Sequence, residues 1–289
     1  MKKVLFTGVC TALVTPFLDN KVNYPLMEQL LKRQVDAGVE AVVLAGTTGE
    51  SPTLSDTEKI ELFRRAKSYV GSACKIIVGT GTNATEHTIE LSKSAEEAGA
   101  DGLLLVAPYY NKGNSDSLYA HFTSIACNVS IPVILYNVPS RTGLDLSVDL
   151  YNRLSSIPNI IGVKEAATDI TKIARIRNRC PVDFHIWTGN DDMIVPAISL
   201  GAQGVISVVS NVCPAETIAM ATAALTGDFQ TAAMIQCQLM PLIEMLFSEV
   251  NPIPVKYAMK CIGYDCGNCR LPLGLPSEKV QRQLNTVLV

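Results

Sequence analysis

The sequence has no long apolar run and no concentrated block of basic residues, and these two absences exclude two classes of protein. A membrane-spanning helix requires roughly 18 consecutive apolar residues, and no stretch of the 289 residues approaches that length. The formal net charge is -3, and no cluster of lysines and arginines of the kind that follows a phosphate backbone is present. We therefore expect neither a membrane span nor a nucleic-acid partner.

The N-terminal stretch lacks a cleavage site, although its first residues look like a secretory signal. In MKKVLFTGVCTALVTPF two lysines precede an apolar stretch, but threonines interrupt that stretch and Pro16 ends it. Because no small-residue cleavage site follows, we interpret the segment as a first strand and expect a cytoplasmic protein.

The cysteines do not form the pattern of a disulfide framework. The chain has nine of them, and an odd number without a secretory signal favours reduced thiols. Their one cluster, Cys261, Cys266 and Cys269 in CIGYDCGNC, lacks a nearby fourth ligand for zinc or an iron–sulfur centre. We interpret this segment as a turn with small, partly buried residues and expect no metal site.

The sequence does contain a repeated alternation of β-rich apolar segments with segments of helical spacing. With 48% hydrophobic residues, the chain can bury a large core. The phrases DAGVEAVVL, EAGADGLLL and SLGAQGVIS repeat one helix–loop–strand unit. Eight segments are typical of strands: 10–17, 40–50, 75–81, 102–110, 131–137, 159–164, 184–189 and 204–210. The pattern predicts an α/β fold, a (β/α)8 TIM barrel over residues 1–213, with a C-terminal helical extension over residues 214–289 packed on it.

The chemistry of such a barrel lies at the carboxyl ends of its strands, and one of those ends is unusual. The apolar run NIIGVK, typical of a strand covered on both faces, ends in Lys164. A lysine there can simply reach solvent. At the mouth of an apolar barrel, however, lost hydration disfavours the charged form of a lysine, and a neutral lysine attacks carbonyls to form a Schiff base.

Hydroxyl groups at neighbouring strand ends suit the proton transfers that a Schiff base requires. Tyr136 precedes Lys164 by one βα unit, so we expect its phenol to face the amine. Thr47 and Tyr110 can extend a chain of hydroxyls to solvent or substrate. Buried tyrosines with a satisfied hydroxyl are a plain structural alternative, but the shared position of these residues at strand ends favours catalysis.

Two further features at strand ends suit small carboxylates. Arg141 in SRTG offers a planar guanidinium that fits a carboxylate, and its alternative is a surface ion pair. Thr47, Thr48 and Gly49 offer hydroxyls and backbone N–H groups at a turn. The predicted site would then accept two small acids.

Several of these strand-end motifs resemble those of a known family when they are taken in order. GTTGES, PYYN, YNVPSRTG, GVKEA, GVISV and NPIPVK follow one another over nearly the whole chain. Together they resemble the dihydrodipicolinate synthase family of the pyruvate-dependent class I aldolases. The resemblance implies condensation of pyruvate with L-aspartate 4-semialdehyde and cyclisation to 4-hydroxy-tetrahydrodipicolinate, on the route to lysine and diaminopimelate. It implies no metal or organic cofactor.

The resemblance also implies roles for individual residues. Lys164 would form the Schiff base with pyruvate, and Tyr136 would donate and accept protons, relayed through Thr47 and Tyr110. Because Tyr110 would be contributed across a subunit interface, the resemblance implies a homo-oligomer, usually a tetramer. The sequence does not decide between a tetramer and a dimer.

The resemblance assigns the substrate contacts to three further residues. Thr48 and Ile206 would contact pyruvate. Arg141 would receive the carboxylate of the aldehyde substrate.

Two other functions have sequence features in their favour. N-acetylneuraminate lyases and related sugar-acid aldolases share the barrel, the lysine and the tyrosine, but they resemble GSTGE at the second strand and generally lack an arginine at the position of Arg141. KIIVGTGTNA fits a dinucleotide-binding pattern, yet the next strand ends in tyrosines and not in the required acidic residue. GTTGE, SRTG and NPIPVK together favour the synthase.

One departure from the family pattern concerns regulation. In members that L-lysine inhibits, the effector site at the dimer interface uses two histidines and a glutamate, together with positions that match Ser51, Asn83 and Tyr109. At the positions of the histidines and the glutamate this chain holds Asp56, Lys59 and His87. Because Lys59 places like charge against the effector's ammonium group, we expect weak or absent inhibition by L-lysine.

Overall fold

Eight parallel strands close into a barrel in the computed structural model, which describes residues 1–288. Each strand pairs with its neighbours along the chain, and the eighth pairs with the first. The barrel strands, in order, are Gly8–Ala12, Ala41–Leu44, Lys75–Gly79, Gly102–Val106, Val133–Asn137, Ile160–Glu165, His185–Thr188 and Gly204–Ser207. The predicted (β/α)8 barrel with C-terminal helices is confirmed.

Helices alternate with these strands and then continue beyond the last of them. The helices are Tyr24–Asp36, Asp56–Val70, Thr85–Glu97, Ser115–Ala126, Pro139–Thr142, Val148–Leu154, Thr171–Arg179, Ile194–Ser199, Pro214–Leu225, Phe229–Leu246, Ile253–Cys261 and Glu278–Val287. A short antiparallel hairpin pairs Phe17–Leu18 with Lys21–Val22. Among residues 1–288, none of the helices combines the length and the hydrophobicity that a membrane span requires.

Alternating side chains along the strands form two buried layers. Residues that face the inside of the barrel, among them Ile134, Ile206 and Trp187, form one cluster. Their neighbours in sequence, such as Leu135 and Val205, belong to a larger core shared with the helices. This period of two is the ordinary geometry of a strand, and it decides which strand-end residues enter the barrel.

The predicted strands overlap all eight barrel strands, but several predictions run past the observed strand end. Within the predicted segment 102–110 the observed strand ends at Val106. Pro108 has no backbone N–H to pair, and Tyr110 adopts a φ of 72°. Within the predicted segment 40–50 the observed strand ends at Leu44, and the next residue, Ala45, has a φ of 48°. Both overruns lie where the chain turns to build the mouth of the barrel.

The helices that follow the last strand lie against the barrel. Helix Pro214–Leu225 packs on the first strand and on helix Phe229–Leu246, which in turn contacts helix Glu278–Val287. The predicted division of the chain at residues 213 and 214 stays a prediction.

Candidate active site

A cavity of about 320 Å³ opens at the carboxyl ends of the barrel strands. Its walls come from the loops after the second to fifth strands and from two C-terminal positions, near Asn251 and near Leu273. Of the residues that the sequence analysis predicts, Thr47, Tyr136 and Arg141 line it. The volume suits small organic acids, at the low end of ligand pockets.

Lys164 and Tyr136 lie side by side at the ends of adjacent strands. They are register partners in the pairing of the fifth and sixth strands, and the Lys164 Nζ is 4.4 Å from the centroid of the Tyr136 ring. The two residues are only 5% and 6% exposed. The period of two that the sequence suggests therefore brings the amine and the phenol ring together inside the barrel.

A glycine at the end of the seventh strand makes room for Lys164. A Cβ atom added to Gly189 would lie 2.9 Å from the Lys164 Cε atom and 2.8 Å from the Ala166 Cβ atom. Such distances are shorter than real contacts allow, so any side chain here would displace the lysine. The sequence analysis gave this glycine no role.

Thr48 and Arg141 are both held by one residue from the C-terminal part of the chain. The Asn251 side-chain amide donates to the Thr48 hydroxyl at 3.0 Å, and the Arg141 Nη2 donates to the Asn251 backbone carbonyl at 2.9 Å. Asn251 opens the motif NPIPVK, which the resemblance used without assigning its residues a role. The structure thus joins two predicted substrate contacts through a residue that the sequence analysis missed.

The loop that carries Thr47 and Thr48 is anchored by a buried ion pair. The Lys256 Nζ lies 2.9 Å from a Glu50 carboxylate oxygen, and both side chains are almost completely buried. The other Glu50 oxygen accepts from the Arg270 backbone N–H at 2.8 Å. Since a buried charge requires a partner, the position of Glu50, and with it the loop, is fixed from the C-terminal side.

Behind Lys164, a buried polar network fixes the ends of the fifth and sixth strands. The Asn137 amide donates to Glu165 at 2.7 Å and to Asp145 at 2.8 Å. The Tyr151 hydroxyl donates to Glu165 at 2.9 Å, and burial together with that carboxylate raises the pKa of Tyr151. Lys172 lies between Glu165 and Asp145 as their counter-ion. Asn137 and Glu165 directly follow Tyr136 and Lys164, so the network holds the two reactive side chains in place.

Asp191 links the ends of the seventh and eighth strands. One of its carboxylate oxygens accepts from the backbone N–H groups of Val208 and Val209 at 2.9 and 2.8 Å. Burial raises the pKa of Asp191, and the charge of Lys164 acts in the opposite direction. Ile206 is fully buried just before this turn and shares the inner cluster with Tyr136.

Tyr110 lies apart from the other predicted site residues within one chain. Its side chain is 92% exposed, and its backbone has a φ of 72°. It is not among the residues that line the cavity, whereas the neighbouring Tyr109 is. Its contribution to a partner's site stays a prediction.

The clustered cysteines do not surround a common point with other metal-binding side chains. Within residues 1–288 no three His, Cys, Asp or Glu side chains are grouped as metal ligands. Cys266 and Cys269 are buried and Cys261 is exposed. Burial raises the pKa of each buried thiol to about 12, so neither is a reactive thiolate at neutral pH.

Comparison with known proteins decides the family. The model of the dihydrodipicolinate synthetase family matches residues 5–289. The chain belongs to this family. Members of the family are lyases of the class I aldolase type, so the chain is an enzyme of that type.

Individual relatives match the chain over nearly its whole length. It is 47% identical to a 4-hydroxy-tetrahydrodipicolinate synthase of Exiguobacterium sp., covering 97% of the chain and 96% of the relative. It is 44% identical to the synthase of Acetivibrio thermocellus, covering 96% and 95%. The crystal structure of dihydrodipicolinate synthase from Aquifex aeolicus superposes with a TM-score of 0.96 at 42% identity, covering 98% and 97%. The family comparisons favour the synthase over the sugar-acid lyase.

Proposed function

We propose that the chain condenses pyruvate with L-aspartate 4-semialdehyde and cyclises the product to 4-hydroxy-tetrahydrodipicolinate, in lysine and diaminopimelate biosynthesis. The observation that carries the proposal is the buried pair of Lys164 and Tyr136 at the carboxyl end of the barrel, 4.4 Å apart from amine nitrogen to ring centroid. A buried amine next to a phenol supplies the nucleophile and the proton carrier of a Schiff-base aldolase.

Lys164 makes the bond that activates pyruvate. Its amine attacks the ketone carbon of pyruvate, one water leaves, and an imine forms. Loss of a methyl proton converts the imine to an enamine, whose terminal carbon attacks the aldehyde carbon of the second substrate. The amino group of that substrate then displaces the lysine nitrogen as the ring closes, which restores the free amine. Because the imine is the electron sink, these steps involve no metal or organic cofactor, and pyruvate is the covalently bound substrate.

Tyr136 carries the protons that these steps exchange. We propose that Tyr136 accepts the proton lost as the imine forms and donates a proton to the new alkoxide. Thr47 and Tyr110 would relay these protons. Thr47 and Tyr136 line the same cavity, which supports the first link of the relay. We assign the pyruvate contacts to Thr48 and Ile206, which are both buried.

We propose a homo-oligomer, a tetramer in the expected form, in which Tyr110 completes the site of a neighbouring subunit. The side chain that is 92% exposed in one chain is an aromatic ring, a group that subunit interfaces favour. A φ of 72° at this residue shows that the loop adopts a backbone conformation that a tyrosine rarely takes.

Arg141→Met tests the proposed carboxylate contact. Arg141 lines the cavity, and its bond to the Asn251 carbonyl orients the guanidinium. Removing a charge-assisted contact to the semialdehyde should raise the KM for that substrate on the order of 10- to 100-fold while the KM for pyruvate changes little. Steady-state kinetics with each substrate varied in turn measure both constants. Arg175→Met, at an exposed ion pair, is the matched control, and an unchanged semialdehyde KM in Arg141→Met would remove the assignment.

Weak inhibition by L-lysine is the second expected result. Lys59 is buried with its Nζ 3.7 Å from Asp56, and the His87 Nε2 lies 2.7 Å from the same carboxylate. A lysine effector would have to place its ammonium group beside Lys59, and the Asp56 carboxylate is already shared by Lys59 and His87. We expect less than half-inhibition at a few millimolar L-lysine in an initial-rate assay at saturating substrates. Half-inhibition below one millimolar would show that the substituted site still binds the effector.

A further inference from the structure

Residues 264–276, here called the C-terminal strap, contribute directly to the cavity. The strap runs between helix Ile253–Cys261 and helix Glu278–Val287 and carries two of the three clustered cysteines. Two of its residues, Pro272 and Leu273, line the same cavity as Thr47 and Tyr136. The residues that follow the clustered cysteines, to which the sequence analysis gave no role, are therefore part of the wall of the cavity.

One residue of the strap, Arg270, donates side-chain hydrogen bonds to three separate positions in the chain: Asn20, Thr53 and Glu58. Its Nη1 donates to the Thr53 carbonyl at 2.8 Å and to Glu58 at 2.9 Å. Its Nη2 donates to the Asn20 carbonyl and to the other Glu58 oxygen, both at 2.6 Å. The pairing with Glu58 is bidentate, the geometry in which a guanidinium binds a carboxylate most specifically.

The same side chain packs on an aromatic ring near the first strand. The guanidinium carbon of Arg270 and the Nζ of Lys256 each lie 4.3 Å from the centroid of the Phe17 ring. The Phe17 backbone N–H donates to the Cys266 carbonyl of the strap at 2.9 Å. Cation–π contacts of this kind favour a fixed orientation of the guanidinium.

The loop that holds the predicted catalytic threonine is fixed at two points by Arg270. The backbone N–H of Arg270 donates to Glu50, and its side chain donates to the Thr53 carbonyl. Glu50 lies two residues after Thr48 and has a φ of 57°, a conformation that a glutamate rarely adopts. The constraint on this loop therefore comes from Arg270 together with Lys256.

The ion pair of Arg270 and Glu58, here called the tether, remains charged at neutral pH. The Arg270 guanidinium lowers the pKa of Glu58 to about 2. The pair therefore contributes at neutral pH and is lost only as the pH falls from the ordinary range of a glutamate toward 2. The side chains of Arg270 and Glu58 are 13% and 26% exposed, so solvent screens the pair less than an open surface pair.

We propose that Arg270 is a positioning residue for the aldol reaction: by bridging Glu58, Thr53 and Glu50, it holds the loop of residues 47–53 so that Thr47 and Thr48 meet the substrates. Its kinetic consequence rests on the function proposed above. Small displacements of positioned groups reduce rates steeply, so loosening this loop should lower the turnover rate although Arg270 does not line the cavity.

Arg270→Lys keeps the positive charge but replaces the planar fork with a single ammonium group, which cannot reach all four acceptors. We expect kcat/KM to fall about 10- to 100-fold, at a temperature where circular dichroism shows the variant fully folded. Glu58→Gln should also lower kcat/KM. The fold-loss of kcat/KM in the double variant should be smaller than the product of the two single fold-losses. Arg282→Lys, at an exposed pair with Glu278, is the matched control and should retain wild-type kinetics.

Hydrogen exchange separates positioning from simple destabilisation. Amides of residues 47–53 should exchange faster in Arg270→Lys than in the wild type, while amides of the sixth strand, Ile160–Glu165, keep their protection. Wild-type kcat/KM in folded Arg270→Lys would overturn the proposal. Uniformly faster exchange over both segments would also overturn it, because the loss would then be global.

The two proposals fail in different ways. If the wild type neither forms a trapped adduct with pyruvate nor turns over the two substrates, the proposed function fails, and the exchange experiment still tests the tether. If the wild type does both and Arg270→Lys matches it in rate and in exchange, the positioning role alone is wrong.

Discussion

Replacing Lys164 by alanine is expected to abolish covalent trapping of pyruvate and to lower turnover on the order of 10⁴-fold or more. Borohydride reduces an imine between the lysine amine and the ketone carbon, leaving a stable adduct that mass spectrometry can place on one peptide. Lys164 is 5% exposed and lies beside Tyr136 within the barrel, so the variant loses the amine that lies next to the proposed proton carrier.

Two further variants make this result specific. Lys164→Arg keeps a cation but cannot form the imine, so we expect it to be as inactive as the alanine variant. Lys93→Ala removes a lysine from the exposed face of helix Thr85–Glu97 and should trap and turn over pyruvate as the wild type does. Pyruvate-dependent trapping that persists in Lys164→Ala would place the imine on another lysine and remove the assignment.

Tyr136→Phe is expected to lower kcat by about 10²- to 10³-fold, the usual contribution of one positioned proton carrier. The ring that packs against Lys164 is kept and the hydroxyl alone is removed, so the cavity and the fold should be unchanged. Single-turnover trapping should show that the imine still forms with pyruvate, but more slowly.

Tyr257→Phe removes a hydroxyl from a half-buried tyrosine in the C-terminal helices and serves as the control. We expect it to match the wild type in both assays. A Tyr136→Phe variant with wild-type kcat would show that another group carries the protons, and Thr47, in the same cavity, would be tested next.

Much of the fold could be predicted from the sequence because strand and helix periods differ. The run before Lys164 is apolar on both faces, as a strand of a covered parallel barrel must be. The strand ends were less well predicted, since Pro108 and the positive φ values of Ala45 and Tyr110 stop pairing inside runs that are still apolar. The pattern of hydrophobic residues alone therefore does not show where strand pairing ends.

The candidate site could be predicted only where its residues follow strands. Lys164, Tyr136 and Thr47 were found because each comes at the carboxyl end of a barrel strand. Asn251 and Arg270 were missed, since they act through contacts with residues about two hundred positions earlier in the chain. Their polar side chains lie in segments without a strand or helix period, and only the folded arrangement brings them to the loop of residues 47–53.

The most direct test of the proposed function measures product formation by the purified wild-type protein with pyruvate and L-aspartate 4-semialdehyde, and in parallel with pyruvate and N-acetylmannosamine. The account predicts a cyclic product with the semialdehyde and no turnover with the sugar. Turnover with the sugar alone would contradict the assignment of Arg141 and of the second substrate, and no turnover with either would contradict the aldolase chemistry of Lys164.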